Sequence, residues 1–233
     1  MSTRPLQEVA ADLGLGADEI IPWGRDMAKL ASLPTASDKR GHLILVSAIS
    51  PTKFGEGKTT TSIGLSNALR KAGKSVCLTL REPSLGPLFG RKGGGTGGGR
   101  SQLYPADRIN MHFTGDMHAI SSAHNLIAAA VDSAFYFGKL DAKATGITWG
   151  RVVDMNDRAL RKMVIGLGGK GQGVPRESGF DITAASELMA VMGLATDEDD
   201  LRRRIDAIIV GVGSSGEPIR IRDLKITGSV MAI

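Results

Sequence analysis

The sequence predicts an α/β fold in which a mostly parallel β-sheet is flanked by helices. Three observations support this fold class. An unbroken aliphatic run at 43–46 is typical of a strand that is covered on both faces, a glycine-rich loop follows it, and a second apolar stretch at 76–80 comes after the next helix. Strand, loop, helix and strand in this order form a βαβ unit, and such units build parallel sheets.

The loop in this unit is part of the stretch "SPTKFGEGKTTT", which begins at Ser50. It matches the end of the phosphate-binding pattern G-x-x-x-x-G-K-[ST] with Gly57, Lys58 and Thr59, whereas Thr52 stands in place of the first glycine. Backbone N–H groups of such a loop converge on phosphate oxygens at the positive end of the helix dipole. Lys58 would neutralise the β and γ phosphates and the Thr59 hydroxyl would bind Mg²⁺. The predicted fold is therefore P-loop NTPase-like.

Helical periodicity and alternation predict the remaining elements. The helix from Thr59 carries an apolar face and ends at Gly73, which suits the position after a helix. A later helix carries four side chains in one stripe along its surface, namely Ile120, His124, Ile127 and Val131. Other helices are predicted at 5–13, at 18–30, after an N-cap at Asp181 and from Thr196, and strands at 108–116 and 206–213.

Composition limits the class of protein. Aromatic residues make up only 4% of the chain, so a nucleic-acid interface built on stacked bases is not expected despite a net charge of +5. The absence of a long apolar run and of a signal-peptide core predicts a cytoplasmic protein. Cys77 lies in an apolar stretch and is predicted to be a small buried residue. We expect a helical lead at 1–40 and an α/β nucleotide-binding domain at 41–233.

A second glycine cluster, "REPSLGPLFGRKGGGTGGGRSQLYP", begins where the second strand is predicted to end. Open α/β sheets bind ligands at that edge, so Arg81 is placed to hold an anion beside the loop, although a pairing with Glu82 is an equal alternative. The run "GGGTGGG" alone is also compatible with a flexible linker. Only Asp116 and Asp154 come near the strand-end acid that activates water in NTPases, so the loop does not by itself identify a reaction.

Seven blocks in the chain carry a resemblance to a known family. They are "SPTKFGEGKTTT", "REPSLGP", "KGGGTGGG", "HFTGDMHAI", "RVVDMNDRALR", "GLGGKGQGVPRESGFDITAASE" and "DLKITGSV". In this order they resemble formate–tetrahydrofolate ligase, also called 10-formyltetrahydrofolate synthetase, and the resemblance extends over nearly the whole chain.

The resemblance implies ATP-dependent ligation of formate to tetrahydrofolate through formyl phosphate, with Mg²⁺ and a monovalent cation as cofactors. It implies catalytic roles for Lys58, for Arg81, which would bind formyl phosphate, and for Asp116 close to the same intermediate. Family members are more than twice this length and commonly homotetramers, so a complementing C-terminal chain or a homo-oligomer is an expected partner. The implied nucleotide-binding residues are Thr52, Lys53, Phe54, Gly55, Glu56, Gly57, Lys58 and Thr59.

Some residues depart from the family pattern. Lys53 and Phe54 replace Pro and Ala in the loop, and Gly95, Thr96 and Arg100 differ within the glycine cluster. The folate pocket and the adenine-binding loops belong to the later part of family members. Two alternatives therefore stay open: a shortened ATP-binding homologue that acts as a regulatory or partner subunit, and a partition-type ATPase that shares only the loop.

Overall fold

The computed structural model describes residues 4–32, 41–50, 52, 55–89 and 94–233. The chain divides into two compact units, Met1–Asp116 and Met117–Ile233. The predicted domain boundary at 40/41 borders on residues outside the described ranges and stays a prediction. None of the helices within those ranges combines the length and the apolar character that a bilayer span requires.

The first unit contains short helices, one longer helix and two β-hairpins. Its helices are α1 (Leu6–Asp12), α2 (Lys58–Lys71), α3 (Leu85–Leu88) and α4 (Ala106–Asn110). The strand pairs β1 (Ile20–Pro22) with β2 (Ala28–Leu30), and β3 (Gly97–Gly98) with β4 (Ser101–Gln102), are both antiparallel.

The predicted helix after the glycine loop is confirmed as α2, and its end has a clear cause. Gly73 has a positive φ of 75° directly after the C-cap, its N–H donates to the Arg70 carbonyl, and the Lys74 N–H donates to the Leu69 carbonyl. These two hydrogen bonds form a Schellman motif. The predicted apolar face is wrong, however, because Ile63 is the buried side chain of α2 whereas Leu65 is 36% exposed.

The two strands predicted on either side of α2 are wrong. Residues 43–46 and 76–80 have no β pairing within the described ranges, and the side chains of Leu43 and Leu45 are 93% and 83% exposed. For the same reason Cys77, predicted to be buried, is exposed. A strand needs a neighbour to satisfy its backbone N–H and carbonyl groups, so an apolar run alone does not produce one.

Two other segments fold differently from their predicted periodicity. The stretch 18–30 is not a helix, because Pro22 and Gly24, which has φ 76°, turn the chain into the hairpin of β1 and β2. The stretch 108–116 is not a strand. It begins as the end of α4, and His112 and Phe113 then take positive φ values of 58° and 28°, which interrupts extended structure.

The second glycine cluster is ordered structure within its described part, not a flexible linker. Its residues form the β3–β4 hairpin, and the Asn110 amide accepts a hydrogen bond from the Gly95 N–H at 2.9 Å and donates one to the Thr96 hydroxyl at 3.1 Å. Gly97 has φ 83°, and a Cβ there would lie 2.0 Å from the Ser101 carbonyl oxygen. Only glycine fits this position.

The second unit is built around one long helix, α5 (Asp116–Tyr136), of which all but the first residue belong to this unit. Its other helices are α6 (Glu187–Leu194), α7 (Glu198–Ala207), α8 (Ile221–Leu224) and α9 (Thr227–Met231). Its strands are β5 (Arg151–Val153), β6 (Met163–Ile165), β7 (Arg176–Ser178), β8 (Phe180–Ile182), β9 (Ile209–Val212) and β10 (Pro218–Arg220).

The structure is therefore mixed α/β, as predicted, with small sheets. Among the described strands, β5 and β8 pair in parallel, with Arg151 opposite Phe180 and Val153 opposite Ile182. The pairs β6–β7 and β9–β10 are antiparallel. The mostly parallel sheet is not found among these strands.

The core of the second unit confirms the predicted stripe on α5. Ile120, His124, Ile127 and Val131 are all buried, and Ile127 has no exposed surface. They belong to or border a cluster that includes Trp149, with further members from α6, α7, β9, β10, α8 and α9.

The predicted helix after Asp181 begins later than expected. Asp181 lies in β8, and the N-cap of α6 is Ser186, whose side chain accepts from the Leu188 N–H. The helix predicted from Thr196 is found as α7 with Asp197 as its N-cap, and the late strand is found as β9.

We predict that Gly97→Ala destabilises the chain by about 1–3 kcal/mol or more, because it combines a strained φ with a backbone clash. Gly98→Ala is the matched control, since a Cβ at Gly98 meets nothing within 4 Å. Urea unfolding of both variants measures the difference. Equal stability of the two variants would contradict the hairpin geometry.

Candidate functional site: the glycine loop before helix α2

The described part of the glycine loop runs directly into α2. Gly57 is the N-cap and has φ 72°, a left-handed conformation that glycine adopts without strain. Lys58 is the first helical residue, so its side chain starts at the positive end of the helix dipole. Lys53 and Phe54 lie outside the described residues, and Thr52 is exposed.

Glu56 brings two donors of the loop together. Its carboxylate accepts a hydrogen bond from the Lys58 ammonium at 2.5 Å and another from the Thr52 backbone N–H. The hydrogen bond from Lys58, followed by that from Thr52, lowers the pKa of Glu56 to about 2. The carboxylate is thus ionised throughout the physiological range.

This contact defines what the loop can do chemically. The Glu56 side chain is 14% exposed, whereas the Lys58 side chain is 44% exposed and can be reached from solvent. A cation and a backbone N–H that already bind one carboxylate can bind other oxyanions in its place. The motif predicted that Lys58 binds phosphate, and the resemblance implied that Thr52 binds the nucleotide, but neither revealed that Glu56 binds both.

The other two predicted catalytic residues lie elsewhere in the first unit. Arg81 is exposed, in the segment without regular structure between α2 and α3. Asp116 accepts hydrogen bonds from Lys29 at 3.2 Å and from the Thr114 hydroxyl at 2.5 Å. The structure brings Lys58 together with Glu56 and Thr52, and it shows no contact that joins Lys58 to Asp116 within the described ranges.

The structure also allows a fit test for a divalent cation. Among the described residues, no group of three or more His, Cys, Asp or Glu side chains could hold a metal ion. Mg²⁺ at nucleotide sites uses one or two protein ligands together with phosphates and water. The half-buried Thr59, second residue of α2, offers one hydroxyl oxygen, which fits that requirement.

A buried histidine in the second unit has a structural role. The His124 ring stacks on Trp149 with centroids 4.3 Å apart, and its Nδ1 and the Ser186 hydroxyl oxygen share a hydrogen bond of 2.9 Å. Ser186 in turn caps α6. Both side chains are buried and the Ser186 oxygen also accepts the Leu188 N–H, so the pair has a structural role.

Comparisons with known proteins identify the same family that the order of the sequence motifs suggests. The family model described as formate–tetrahydrofolate ligase matches residues 1–233. The formate–tetrahydrofolate ligase of Myxococcus xanthus is 51% identical over 236 residues, covering 100% of this chain and 43% of the relative. Those of Hyphomonas neptunium and Thermosipho melanesiensis are each 53% identical, and each match covers 99% of this chain and 42% of the relative.

These matches define the family of the chain. It belongs to the formate–tetrahydrofolate ligase family. The chain spans 42–43% of the length of these relatives and matches them along nearly its own full length.

We predict that chain stability falls between about pH 6.5 and pH 4. Burial lowers the pKa of His124 to about 4, whereas an unfolded histidine titrates near 6.5. Between these values the unfolded chain binds the extra proton, so acidification favours unfolding by roughly 3 kcal/mol. Urea unfolding across this range measures the effect.

The matched variants for this measurement are His124→Asn and His118→Asn, because His118 is exposed on the same helix. His124→Asn should lower stability at neutral pH and flatten the dependence between pH 6.5 and 4, whereas His118→Asn should leave it unchanged. An unchanged slope in His124→Asn would show that another group titrates there.

Proposed function

We propose that this chain supplies the ATP and formyl-phosphate chemistry of ATP-dependent formate–tetrahydrofolate ligation, within a P-loop NTPase-like fold. The observation that carries the proposal is the convergence of Lys58 and the Thr52 N–H on one carboxylate at the start of α2. Family membership along the whole chain supports the same reaction. The nucleotide-binding residues are those of the loop, Thr52 to Thr59.

In the first step, a formate oxygen attacks the γ-phosphorus of ATP, the bond to the β–γ bridging oxygen breaks, and ADP leaves. In the second step, the folate amine attacks the formyl carbon, the bond from that carbon to the phosphate oxygen breaks, and phosphate leaves while the amine proton passes to phosphate or solvent. Formate is already an anion, so the first step needs no strong general base. It needs positive charge, because two anions must approach in line, and Lys58 and Arg81 are the residues that would provide it.

Lys58 would bind the transferring phosphoryl group after exchanging Glu56 for it. Arg81 is exposed and its planar guanidinium suits the oxygens of formyl phosphate, while Asp116 is proposed to lie close to the same intermediate. Mg²⁺ bound with ATP would neutralise phosphate charge, and the Thr59 hydroxyl would hold it. The monovalent cation stays a prediction.

The greater length of the relatives is the reason for proposing a tetrahydrofolate site and a partner chain. Because the chain spans 42–43% of them, we propose that a complementing C-terminal chain or a homo-oligomer completes the folate site. The alternative is a shortened ATP-binding homologue without ligase activity. Formate-dependent ADP formation, measured with a complementing C-terminal chain present, separates the two, since a pure binding module forms none.

We predict that Lys58→Met weakens ATP binding roughly 10- to 100-fold, which is the range expected for a lost charged hydrogen bond. Lys71→Met is the matched control, because Lys71 is exposed at the C-terminal end of the same helix. Isothermal titration with MgATP measures both affinities. If both variants bind as the unsubstituted chain does, the loop is not the nucleotide site.

Glu56→Gln tests the same site by a change that should strengthen ATP binding instead of weakening it. It removes the charge that competes for Lys58, so ATP should bind more tightly than to the unsubstituted chain. Weaker binding in this variant would mean that Glu56 contacts the ligand favourably instead of competing with it.

A further inference from the structure

The second unit contains a small pocket that the proposed reaction does not use. It has a volume of about 120 Å³ and lies between α5, β5 and the loop that joins β6 to β7. Its lining combines charged and apolar side chains with loop backbone: Asp132, Phe135, Arg151, Ile165, Gly166, Gln172, Gly173 and Val174.

Positive charge exceeds negative charge beside this pocket. The Asp132 carboxylate accepts hydrogen bonds from Arg151 Nη2 and from Arg176 Nη2, the latter at 2.5 Å. The Arg176 side chain is only 4% exposed, and its Nη1 donates to the Glu177 carbonyl at 3.2 Å. One carboxylate therefore balances two guanidinium groups, which leaves a net charge of about +1 for the cluster.

One donor of the cluster has no partner. Arg151 Nη1 is buried and makes no hydrogen bond to any described residue. Buried charged donors are costly to leave unbonded, so such an atom calls for a ligand or a solvent molecule. Because Asp132 is already engaged by both arginines, the group that satisfies Arg151 must come from outside this cluster.

The loop between β6 and β7 gives the pocket a close backbone wall. Gly166 has φ 76°, and a Cβ there would lie 2.5 Å from the Val174 carbonyl oxygen, so the two ends of the loop approach closely. A side chain at this position would push them apart. The close approach of the two loop ends thus requires glycine at this position. Because glycine has no side chain, this part of the pocket wall is formed by backbone alone.

We propose that this pocket binds a small oxyanion of the carboxylate or phosphate class beside Arg151, which lines the pocket and carries the unbonded donor. The volume is several times what one water requires and suits an anion of a few heavy atoms, but it is too small for a nucleotide. The site shares no residue with the loop before α2, and it does not depend on the function proposed for that loop.

The test is an NMR titration of the full chain with sodium formate, sodium phosphate and, at equal ionic strength, sodium chloride. The reporters are the Arg151 side-chain N–H and the backbone N–H groups of Gly166 and Gly173. Saturable shifts with formate identify a carboxylate site, and with phosphate a tetrahedral oxyanion site. Shifts that never saturate, or that chloride reproduces, overturn the proposal and leave water as the partner of Arg151.

Two variants and one control make the result specific. Arg151→Met should weaken binding at least tenfold, read at Gly166 and Gly173, whereas Arg202→Met, at an exposed arginine of α7, should have no effect. Gln172→Glu places a negative charge at the pocket while keeping both arginines and should also weaken binding at least tenfold. If Arg151→Met does not fold, Gln172→Glu alone decides, and unchanged affinity in it rejects the site.

Discussion

The burial of one face of α5 is the constraint on which the second unit depends. Ile127 and Val131 lie in its core, in which the long apolar stripe of this helix joins Trp149 and side chains from α6 to α9. The same helix also positions polar groups. The Asn125 amide donates to the Val152 carbonyl and accepts from the Val152 N–H, both at 3.0 Å, so it hydrogen-bonds β5 as a neighbouring strand would.

That docking has a direct consequence for chemistry. Arg151 precedes Val152 in β5, and Asp132 lies two turns after Asn125 on α5, so fixing the strand to the helix sets the distance between the arginine and its carboxylate. His124 also holds the segment that leads into β5. Its ring stacks on Trp149, and its backbone carbonyl accepts a hydrogen bond from the Trp149 indole N–H. Helix α5 thus positions both the apolar core and the Asp132–Arg151 ion pair of this unit.

Local signals explain which parts of the fold could be predicted. The end of α2 follows from Gly73, and the α5 stripe follows from a helical period that needs only nearby residues. Strands depend on partners that are distant in sequence. The run at 43–46 has the composition of a strand without the pairing, whereas β5 is a strand because Phe180 to Ile182 lie alongside it.

The candidate site was predictable to a similar extent. Motif spacing identified Lys58 and the loop, because a glycine-rich turn before a helix is a local feature. The contact of Glu56 with Lys58 was not predictable, since the motif treats that position as variable. The charge cluster beside the Arg151 pocket was missed because its three residues, Asp132, Arg151 and Arg176, are separated in sequence and only α5, β5 and β7 bring them together.

The two anion sites differ in their charge balance, and this difference decides what each can bind. In the described part of the loop, the Glu56 carboxylate faces the Lys58 ammonium, so a ligand that binds Lys58 must displace Glu56. Because the pKa of Glu56 is about 2, protonation does not release it near neutral pH. A polyphosphate carries several charges and can outcompete a single carboxylate, whereas a small monoanion cannot.

Under the proposed function, Glu56 would make the loop select against small monoanions. In the Arg151 cluster, one carboxylate faces two guanidinium groups, and a single small anion restores the balance without displacing anything.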